Sequence, residues 1–242
     1  MKFSIFSYAT AITITFLIRI HASCFIGLEQ TLFKDRINNN HMIRQSSVIS
    51  VLSCLRQCFK LATCMSFFYN EMTNVCNLQG IVYLYEEQGS ADLGSRYFVP
   101  MGKGKCPDFG GFMYNRALEI CYNFKCCELY NANELKAKCN ATGTSLIKID
   151  SSEKQAHMAA FLEQGNTSYT LIQGILGNNG IYTYEDGTNM TYFNWNSADN
   201  EPEQRNNEVF ILLKKNDQFL WHDARNTATY ASSNLVCETP VL

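Results

Sequence analysis

The sequence predicts a disulfide-linked α+β protein built from two consecutive modules. The chain has 242 residues and 11 cysteines, which fall into an early and a late group separated by a short stretch with Gly and Pro. In the second part, two helical patterns come before several short β-rich runs, which is the order of an α+β domain. So many cysteines indicate a disulfide framework and not catalytic thiols, provided that the chain is secreted.

The N-terminus has the layout of a secretory signal peptide. Lys2 precedes a mostly apolar stretch that runs to Ile20, and the small residues Ala22 and Ser23 follow it. We therefore predict a signal peptide over residues 1–23 and a secreted, extracellular mature chain. The alternative is an N-terminal membrane anchor, which the threonines within the stretch disfavour. No later stretch approaches the ~18–20 apolar residues that a membrane span needs.

Charge and residue types argue against several function classes. The formal net charge is −2 and like charges form no blocks, so neither nucleic acid nor an anionic membrane is expected as a partner. Beyond the predicted signal peptide, His41, His157 and His222 lie in separate segments without the spacing of a zinc site. No activated nucleophile or acid–base pair stands out. We expect a binding protein without catalytic residues, not an enzyme.

The early cysteines belong to a segment that begins with a helical pattern. In SSVISVLSCLRQCFKLATC, Ser46 or Ser47 is placed to cap a helix. Apolar residues then recur at helical spacing; they are Val48, Val51, Leu52, Leu55 and Phe59. Cys54 and Cys58 are four residues apart, so both sulfurs point from this face toward the predicted strand pair MSFFYNEMTNVCNL.

This segment resembles the PAN/apple family over residues 24–100. The resemblance rests on the order of cysteines in SCLRQCFKLATCMSFFYNEMTNVCNL. It implies non-enzymatic binding of proteins or carbohydrates and a helix tied to a central hairpin by the disulfides Cys54–Cys76 and Cys58–Cys64. Some members have a third bridge between the two ends. Cys24 is the N-terminal candidate for that bridge, but no cysteine of this segment remains to complete it.

Residues 101–105 are predicted to be a linker, and residues 106–242 form the second module. ELYNANELKAKC has a helical pattern, and so has the stretch that Asp150 or Ser151 can cap. The inward face of that second helix is predicted to contain Ala156, Ala159, Ala160 and Leu162. After Gly165 the period changes to short β-rich runs such as LIQGIL, GIYTYEDG and EVFILLKK.

The second module is similar to the C-type lectin-like fold from Cys106 to about Glu238. The similarity rests on the order of CP, CYNF, Cys139-x3-Gly143, Asn194-Trp195, Glu-Pro-Glu at 201–203, Leu220-Trp221-His222-Asp223 and Cys237-Glu238. It implies two helices, two small antiparallel sheets, long loops and the bridges Cys106–Cys121 and Cys139–Cys237. The family's inner bridge would need cysteines near Glu208 and Asn226, and both are missing.

Four pairs use eight of the 11 cysteines, so Cys24, Cys126 and Cys127 remain. Adjacent cysteines rarely bond to each other, because disulfide geometry needs a longer reach. One of the adjacent pair can bond Cys24; alternatively, Cys106 closes the first module and Cys121 takes a neighbouring cysteine. In either arrangement one thiol is left over. This predicts either a disulfide-linked dimer or a buried free cysteine.

The resemblance also implies a calcium and sugar site in FNWNSADNEPEQRNN and the strands that follow. In sugar-binding members, oxygens on both sides of a cis proline and from a following strand hold calcium, whose shell the sugar hydroxyls complete. The matching positions here are Glu201, Glu203, Asn206, Glu208, His222 and Asp223. Glu-Pro-Glu departs from the family's Glu-Pro-Asn and Gln-Pro-Asp, and His222 offers a nitrogen that suits zinc or copper better. Either Ca2+ binds here, or the loop is solvated and its ligands are vestigial.

Aromatic residues and sequons complete the pattern. Trp195 and Trp221 are predicted to lie in the core, whereas Tyr182, Tyr184 and Tyr192 are the candidates for an aromatic contact face. Three N-glycosylation sequons predict a glycoprotein whose modified residues lie in surface loops; they begin at Asn140, Asn166 and Asn189.

Two functions follow from these residues and resemblances. The first is a secreted lectin-like recognition protein that binds glycans or glycoproteins, with or without Ca2+, in adhesion or innate defence. The alternative is an extracellular protein–protein interaction module in which the lectin site is degenerate and metal-free.

Overall fold

The computed structural model of the protein describes residues 26–85, 89–101, 105–107, 110–203, 207–226 and 230–242. The predicted signal peptide (1–23), Cys24 and Asn206 lie outside these residues, and the side chains of Cys126 and Cys127 are not described. The disulfide-linked dimer, which depends on these three cysteines, therefore stays a prediction.

The first module is a five-stranded antiparallel sheet with one helix packed on it. Its elements are β1 (Ile26–Gln30), β2 (Arg36–Ile37), β3 (Met42–Ser47), α1 (Val51–Lys60), β4 (Ser66–Asn70), β5 (Val75–Gln79), β6 (Ser90–Ala91) and β7 (Ser95–Met101). The sheet has the order β1-β7-β4-β5-β3, and β2 and β6 form a separate ribbon. The apolar face of α1 buries Cys54, Leu55 and Cys58 against this sheet.

Helix α1 begins later than the sequence predicts. Ser50 is its N-cap, and the Ser50 Oγ accepts the backbone N–H of Ser53 at 3.2 Å. The prediction of Ser46 or Ser47 as the cap is wrong, because both residues pair with β5 and extend β3. The strand ladder holds these serines in extended backbone, so the helix starts only after the chain leaves the sheet.

The second module combines two helices with eight strands, which confirms the predicted α+β class. Its elements are β8 (Met113–Asn115), β9 (Ile120–Tyr130), α2 (Ala132–Asn140), β10 (Ser145–Leu146), α3 (Ser152–Leu162), β11 (Tyr169–Leu176), β12 (Tyr182–Thr183), β13 (Glu208–Lys214), β14 (Leu220–Arg225) and β15 (Tyr230–Thr239). The strand order is β14-β13-β11-β15-β9-β8, with β10 on β15 and β12 on β11. Strands β11 and β15 run parallel, which brings the end of the chain beside the middle of the module.

The buried face of helix α3 agrees only in part with the predicted one. Its buried residues are Gln155, Met158, Phe161 and Leu162. The predicted inward position is wrong for Ala156, which is exposed, but Leu162 is buried and Ala159 and Ala160 are half-buried against the core, as predicted. Gln155 points inward because its amide donates to Phe219 O at 2.9 Å and its Oε1 accepts the indole N–H of Trp221 at 2.8 Å. A satisfied polar side chain thus takes a core position that apolar periodicity does not reveal.

The described residues contain four disulfides, which are the pairs that the two resemblances imply. They join Cys54 to Cys76, Cys58 to Cys64, Cys106 to Cys121 and Cys139 to Cys237. The first two tie α1 to β5 and to the segment before β4. The last ties α2 to β15 across 98 residues of sequence. A bridge over so long a loop removes much conformational freedom from the unfolded chain.

The two modules pack on each other. Met65 and Val82 of the first module belong to the same buried cluster as Trp221 and Phe161 of the second. The side chain of Gln164 bridges the boundary, since its amide donates to Val82 O at 2.9 Å and its Oε1 accepts Leu84 N–H at 3.0 Å.

Arg116 makes a further polar contact between the modules. Its guanidinium donates to the backbone oxygens of Cys58, Leu61 and Cys64 at 2.8, 2.9 and 2.6 Å. It also lies 5.0 Å from the centre of the Phe59 ring. These carbonyls are at and just beyond the C-terminus of α1, where a cation is electrostatically favoured.

Candidate functional site

The loop between β12 and β13 is anchored to β14 by backbone hydrogen bonds. Trp221 N–H donates to Asn194 O at 2.9 Å, and Asn196 N–H donates to Trp221 O at 3.0 Å. Glu201 N–H then donates back to Asn196 O at 3.1 Å. These bonds bring the Glu201 side chain, which precedes a cis peptide bond to Pro202, next to the residues that follow Trp221.

Both carboxylate oxygens of Glu201 are engaged. Its Oε1 lies 2.7 Å from His222 Nδ1, and its Oε2 accepts the backbone N–H of Asp223 at 3.2 Å. The Glu201 side chain is 11% exposed and that of His222 is 10% exposed. The structure thus brings together three of the predicted site residues, Glu201, His222 and Asp223, by direct contact.

The second ring nitrogen of His222 faces residues that the sequence did not suggest. Nε2 lies 2.8 Å from Asp217 Oδ2 and 3.4 Å from Asn196 Nδ2. Asn196 in turn donates to Asp199 at 2.9 Å. The donor atoms of Asp199, Asp217 and His222 all lie within 4.8 Å of one another.

Lys214 balances the charge of this group. Its Nζ lies 2.9 Å from Asp217 Oδ2, and this contact lowers the pKa of the Asp217 carboxyl and raises the pKa of Lys214. Asp217 lies in the turn between β13 and β14, so only the pairing of these strands brings it to His222. No local sequence signal could have identified it.

The remaining predicted ligands are dispersed. Glu208 pairs across the β13–β14 ladder with Arg225, whose Nε donates to Glu208 Oε1 at 3.2 Å. This ion pair lies where the family's inner disulfide would be expected. Glu203 is exposed on the loop, and Asn206 lies outside the described residues.

An aromatic group adjoins these acids. The Tyr182 ring centre lies 5.2 Å from that of Trp195 and 6.1 Å from that of Phe193, and the Phe193 and Trp195 rings are stacked. Trp221 is fully buried, and Trp195 packs against the same core. The prediction of a tyrosine contact face is wrong for Tyr182 and Tyr184, because both are core residues at 5% exposure.

Phe193 is the exposed ring instead, at 40% exposure. The Tyr182 ring lies close both to Phe193 and to the acidic residues Glu201 and Asp223. Burial raises the pKa of Tyr182, and the charges of Asp223, Glu201 and Glu208 raise it further. The Tyr182 hydroxyl is buried and has no hydrogen-bond partner in the part of the chain that the structure describes.

Two family models match the chain. The C-type lectin domain model matches residues 128–239, and the PAN domain model matches residues 24–88. No curated protein matches the sequence. Over the described residues, no helix combines the length and the apolar character that crossing a membrane requires.

Several solved structures are similar to the second module. The cow C-type carbohydrate-recognition domain of CD23, determined with a GlcNAc2Man3 oligosaccharide, is 20% identical with a TM-score of 0.47, covering 57% of this chain and 98% of its own. The SPL-1–GlcNAc complex is 22% identical with a TM-score of 0.47, covering 56% and 96%.

A third similar structure is the Ca2+-independent C-type lectin SPL-2 from Saxidomus purpuratus. It is 20% identical with a TM-score of 0.45, covering 55% of this chain and 93% of its own. The two family models thus find a PAN domain at residues 24–88 and a C-type lectin domain at residues 128–239.

Proposed function

We propose that the protein is a secreted, non-enzymatic recognition protein whose lectin domain binds a glycan, in adhesion or defence, at the surface around Phe193 and Glu203, beside the largely buried group that Glu201 and Asp223 form with His222. The observation that carries the proposal is the proximity of an exposed aromatic ring, acidic side chains and the buried Tyr182 hydroxyl, which has no hydrogen-bond partner among the described residues. An aromatic face can pack on the apolar face of a sugar ring. Carboxylates accept hydrogen bonds from sugar hydroxyls.

The extracellular location is supported by chemistry and by the surface. Four disulfides are typical of oxidising compartments. Asn140, Asn166 and Asn189 are all exposed, as acceptors of N-linked glycans must be.

The donor set fits a calcium ion poorly. Calcium needs six to eight oxygen ligands, but both oxygens of Glu201 are held by His222 and Asp223, and Glu208 is paired with Arg225. His222 also places nitrogen where an oxygen would be needed. We therefore propose glycan binding that does not depend on calcium, while calcium assistance stays a prediction to be tested.

A glycan array tests both statements. The full chain is applied once in calcium buffer and once in chelator. We expect the same bound glycans in both buffers and a loss of about tenfold or more in affinity for Phe193→Ala. Leu93→Ala is the matched control, because it removes an exposed apolar side chain from the other domain.

Three outcomes would contradict the proposal in different ways. A blank array in both buffers would refute glycan binding. Signals that vanish in chelator would establish calcium dependence. Unchanged glycan binding by Phe193→Ala would show that the glycan site lies elsewhere on the domain.

Protein binding by the PAN domain is the second candidate function. Among the described strands, β3 lies at the edge of its sheet and pairs with β5 alone. Met42 and Ile43 on this strand are 40% and 41% exposed. An extended segment of another extracellular protein could add to this edge. Capture of a protein by the wild type but not by Ile43→Lys, with a blank glycan array, would favour this function over the first.

A further inference from the structure

A polar cavity in the lectin domain lies apart from the glycan surface proposed above. It has a volume of about 450 Å3 and opens between the start of β9, β10, the segment after β12 and the end of β15. None of its lining residues belongs to the surface around Phe193. Its charged lining residues are Glu119, Lys148, Lys154, Glu185, Asp186 and Glu238.

The two lysines of the cavity already have partners. Lys148 Nζ lies 3.0 Å from Asp186 Oδ2 and 4.2 Å from the centre of the Tyr184 ring. Lys154 Nζ lies 2.8 Å from Asp150 Oδ1. The acidic partners of the two lysines are thus Asp186 and Asp150, not Glu185 or Glu238.

Glu185 and Glu238 each receive a backbone hydrogen bond, from Leu146 and Lys148 respectively, but one oxygen of each carboxylate lacks a donor among the described residues. Glu185 Oε1 and Glu238 Oε2 are buried, and within the described ranges neither atom has a hydrogen-bond partner. The cation beside Glu185 is Lys136, whose Nζ is 4.0 Å away. Native proteins seldom leave buried polar atoms without partners, so two in one cavity need an explanation.

The electrostatics point the same way. Burial raises the pKa of Glu185, and burial raises the pKa of Glu238 to about 7 despite the lysines nearby. The protein therefore does not compensate these two charges fully. Perturbed carboxyl groups that line a cleft are typical of ligand sites.

We propose that this cavity is a second ligand site, which binds a small polyol that carries an ammonium group, such as an amino sugar. The ammonium group would donate charge-assisted hydrogen bonds to Glu185 and Glu238. Hydroxyl groups of the ligand would face the polar side chains of the lining, such as Ser145. The volume is within the ~300–1,000 Å3 of small-molecule sites.

Calorimetric titration of the full chain at pH 7 tests this site. The probes are glucosamine, N-acetylglucosamine and glucose, with chloride matched in all titrations. We expect binding of glucosamine only, because acetylation removes the ammonium charge and glucose lacks the nitrogen. Glu185→Gln and Glu238→Gln should each weaken glucosamine binding by about tenfold or more.

Two controls separate this site from the glycan surface. Phe193→Ala and the exposed-surface variant Glu163→Gln should bind glucosamine like the wild type. If glucose or N-acetylglucosamine bound as tightly as glucosamine, the ammonium assignment would be overturned. This comparison uses only the wild-type protein, so it does not depend on the folding of any variant. Glucosamine binding that survives both glutamine variants, or is lost in Phe193→Ala, would overturn the placement.

Discussion

Single residues decide what the lectin loop can do. His222 stands between two acids, with Glu201 at one ring nitrogen and Asp217 at the other. This arrangement uses the loop's best-placed carboxylate for internal structure. The same chemistry that makes the loop look like a cation site therefore makes it a self-contained hydrogen-bonded group.

Replacing Glu201 should reveal this structural role. Glu201→Gln removes the charge opposite His222 and weakens two hydrogen bonds in a largely buried place. We expect the free energy of unfolding to fall by about 1–3 kcal/mol in urea titrations. Glu163→Gln, in an exposed side chain, should cost less than about 0.5 kcal/mol. Equal losses for the two variants would contradict the assignment.

His157 should make stability depend on pH. Burial, together with the smaller effect of the His41 charge, lowers the pKa of His157 to about 4. The unfolded chain therefore binds the proton more readily between pH ~6.5 and ~4, and the stability that neutral His157 supports is lost as pH falls through this window. The expected loss is about 2–3 kcal/mol.

The wild type alone cannot reveal the effect of His157 on the pH dependence of stability, because Glu238 changes the unfolding free energy in the opposite direction. Its raised pKa, about 7, makes the folded state bind its proton first, so it adds stability as pH falls. Unfolding free energies of wild type and His157→Gln at pH 7 and pH 4.5 isolate the histidine. If the difference between the two proteins were the same at both pH values, the shift would be refuted.

At the scale of elements, Gly174 fixes the geometry of the central strand β11. Its φ is +145°, and a Cβ there would lie 2.4 Å from Ile211 Cδ1 and 3.0 Å from Met190 Sδ. The register between β11 and β13 also shifts just there, between Ile172 and Ile175. A side chain at this position would push β11 away from the core residues Ile211 and Met190.

Gly174→Ala should therefore lower the free energy of unfolding by about 2–4 kcal/mol. Gly180→Ala is the matched control, since Gly180 has φ +76° but no atom within 4 Å of the position that an added methyl group would take. That variant should cost only about 1 kcal/mol from backbone strain. Similar costs for both variants in urea titrations would show that the contact with Ile211 relaxes easily.

Local patterns explain which elements were predictable. The β4–β5 hairpin and the three helices follow from periodicity and cysteine order, which are local signals. The cap at Ser50 was missed because strand pairing decided where α1 begins. Gln155 was missed because its inward position depends on Trp221, which is distant in sequence.

The candidate site was predictable only in part for the same reason. Glu201, His222 and Asp223 came from a resemblance in motif order, and the fold does bring them together. The contacts of Asp217 and of Glu208 with Arg225 arise from the pairing of β13 with β14. The sequence of neither strand alone determines the register in which β13 pairs with β14.

At the scale of the whole molecule, the two domains share a core and polar contacts. Arg116 should be the most sensitive of these contacts, because one guanidinium serves three backbone oxygens of the PAN domain. Arg116→Met would remove these charge-assisted hydrogen bonds, although Cys58 O and Leu61 O would still accept the backbone N–H groups of Leu61 and Cys64. We expect a loss of about 3 kcal/mol. Calorimetry should change from one thermal transition in the wild type to two in the variant.

Arg225→Met is the control for this experiment, because its ion pair with Glu208 lies within the lectin domain. It should shift the transition slightly without splitting it. Two separate transitions in the wild type would contradict the coupling of the domains.

The hydrogen bonds from Arg116 to the end of α1 also affect how the two domains can bind one large partner at the same time. The PAN edge at Ile43 and the lectin ring at Phe193 are then held at one separation and one relative orientation, unlike two domains joined by a flexible linker. A multivalent surface would then be bound with high avidity only where its epitopes match that one separation.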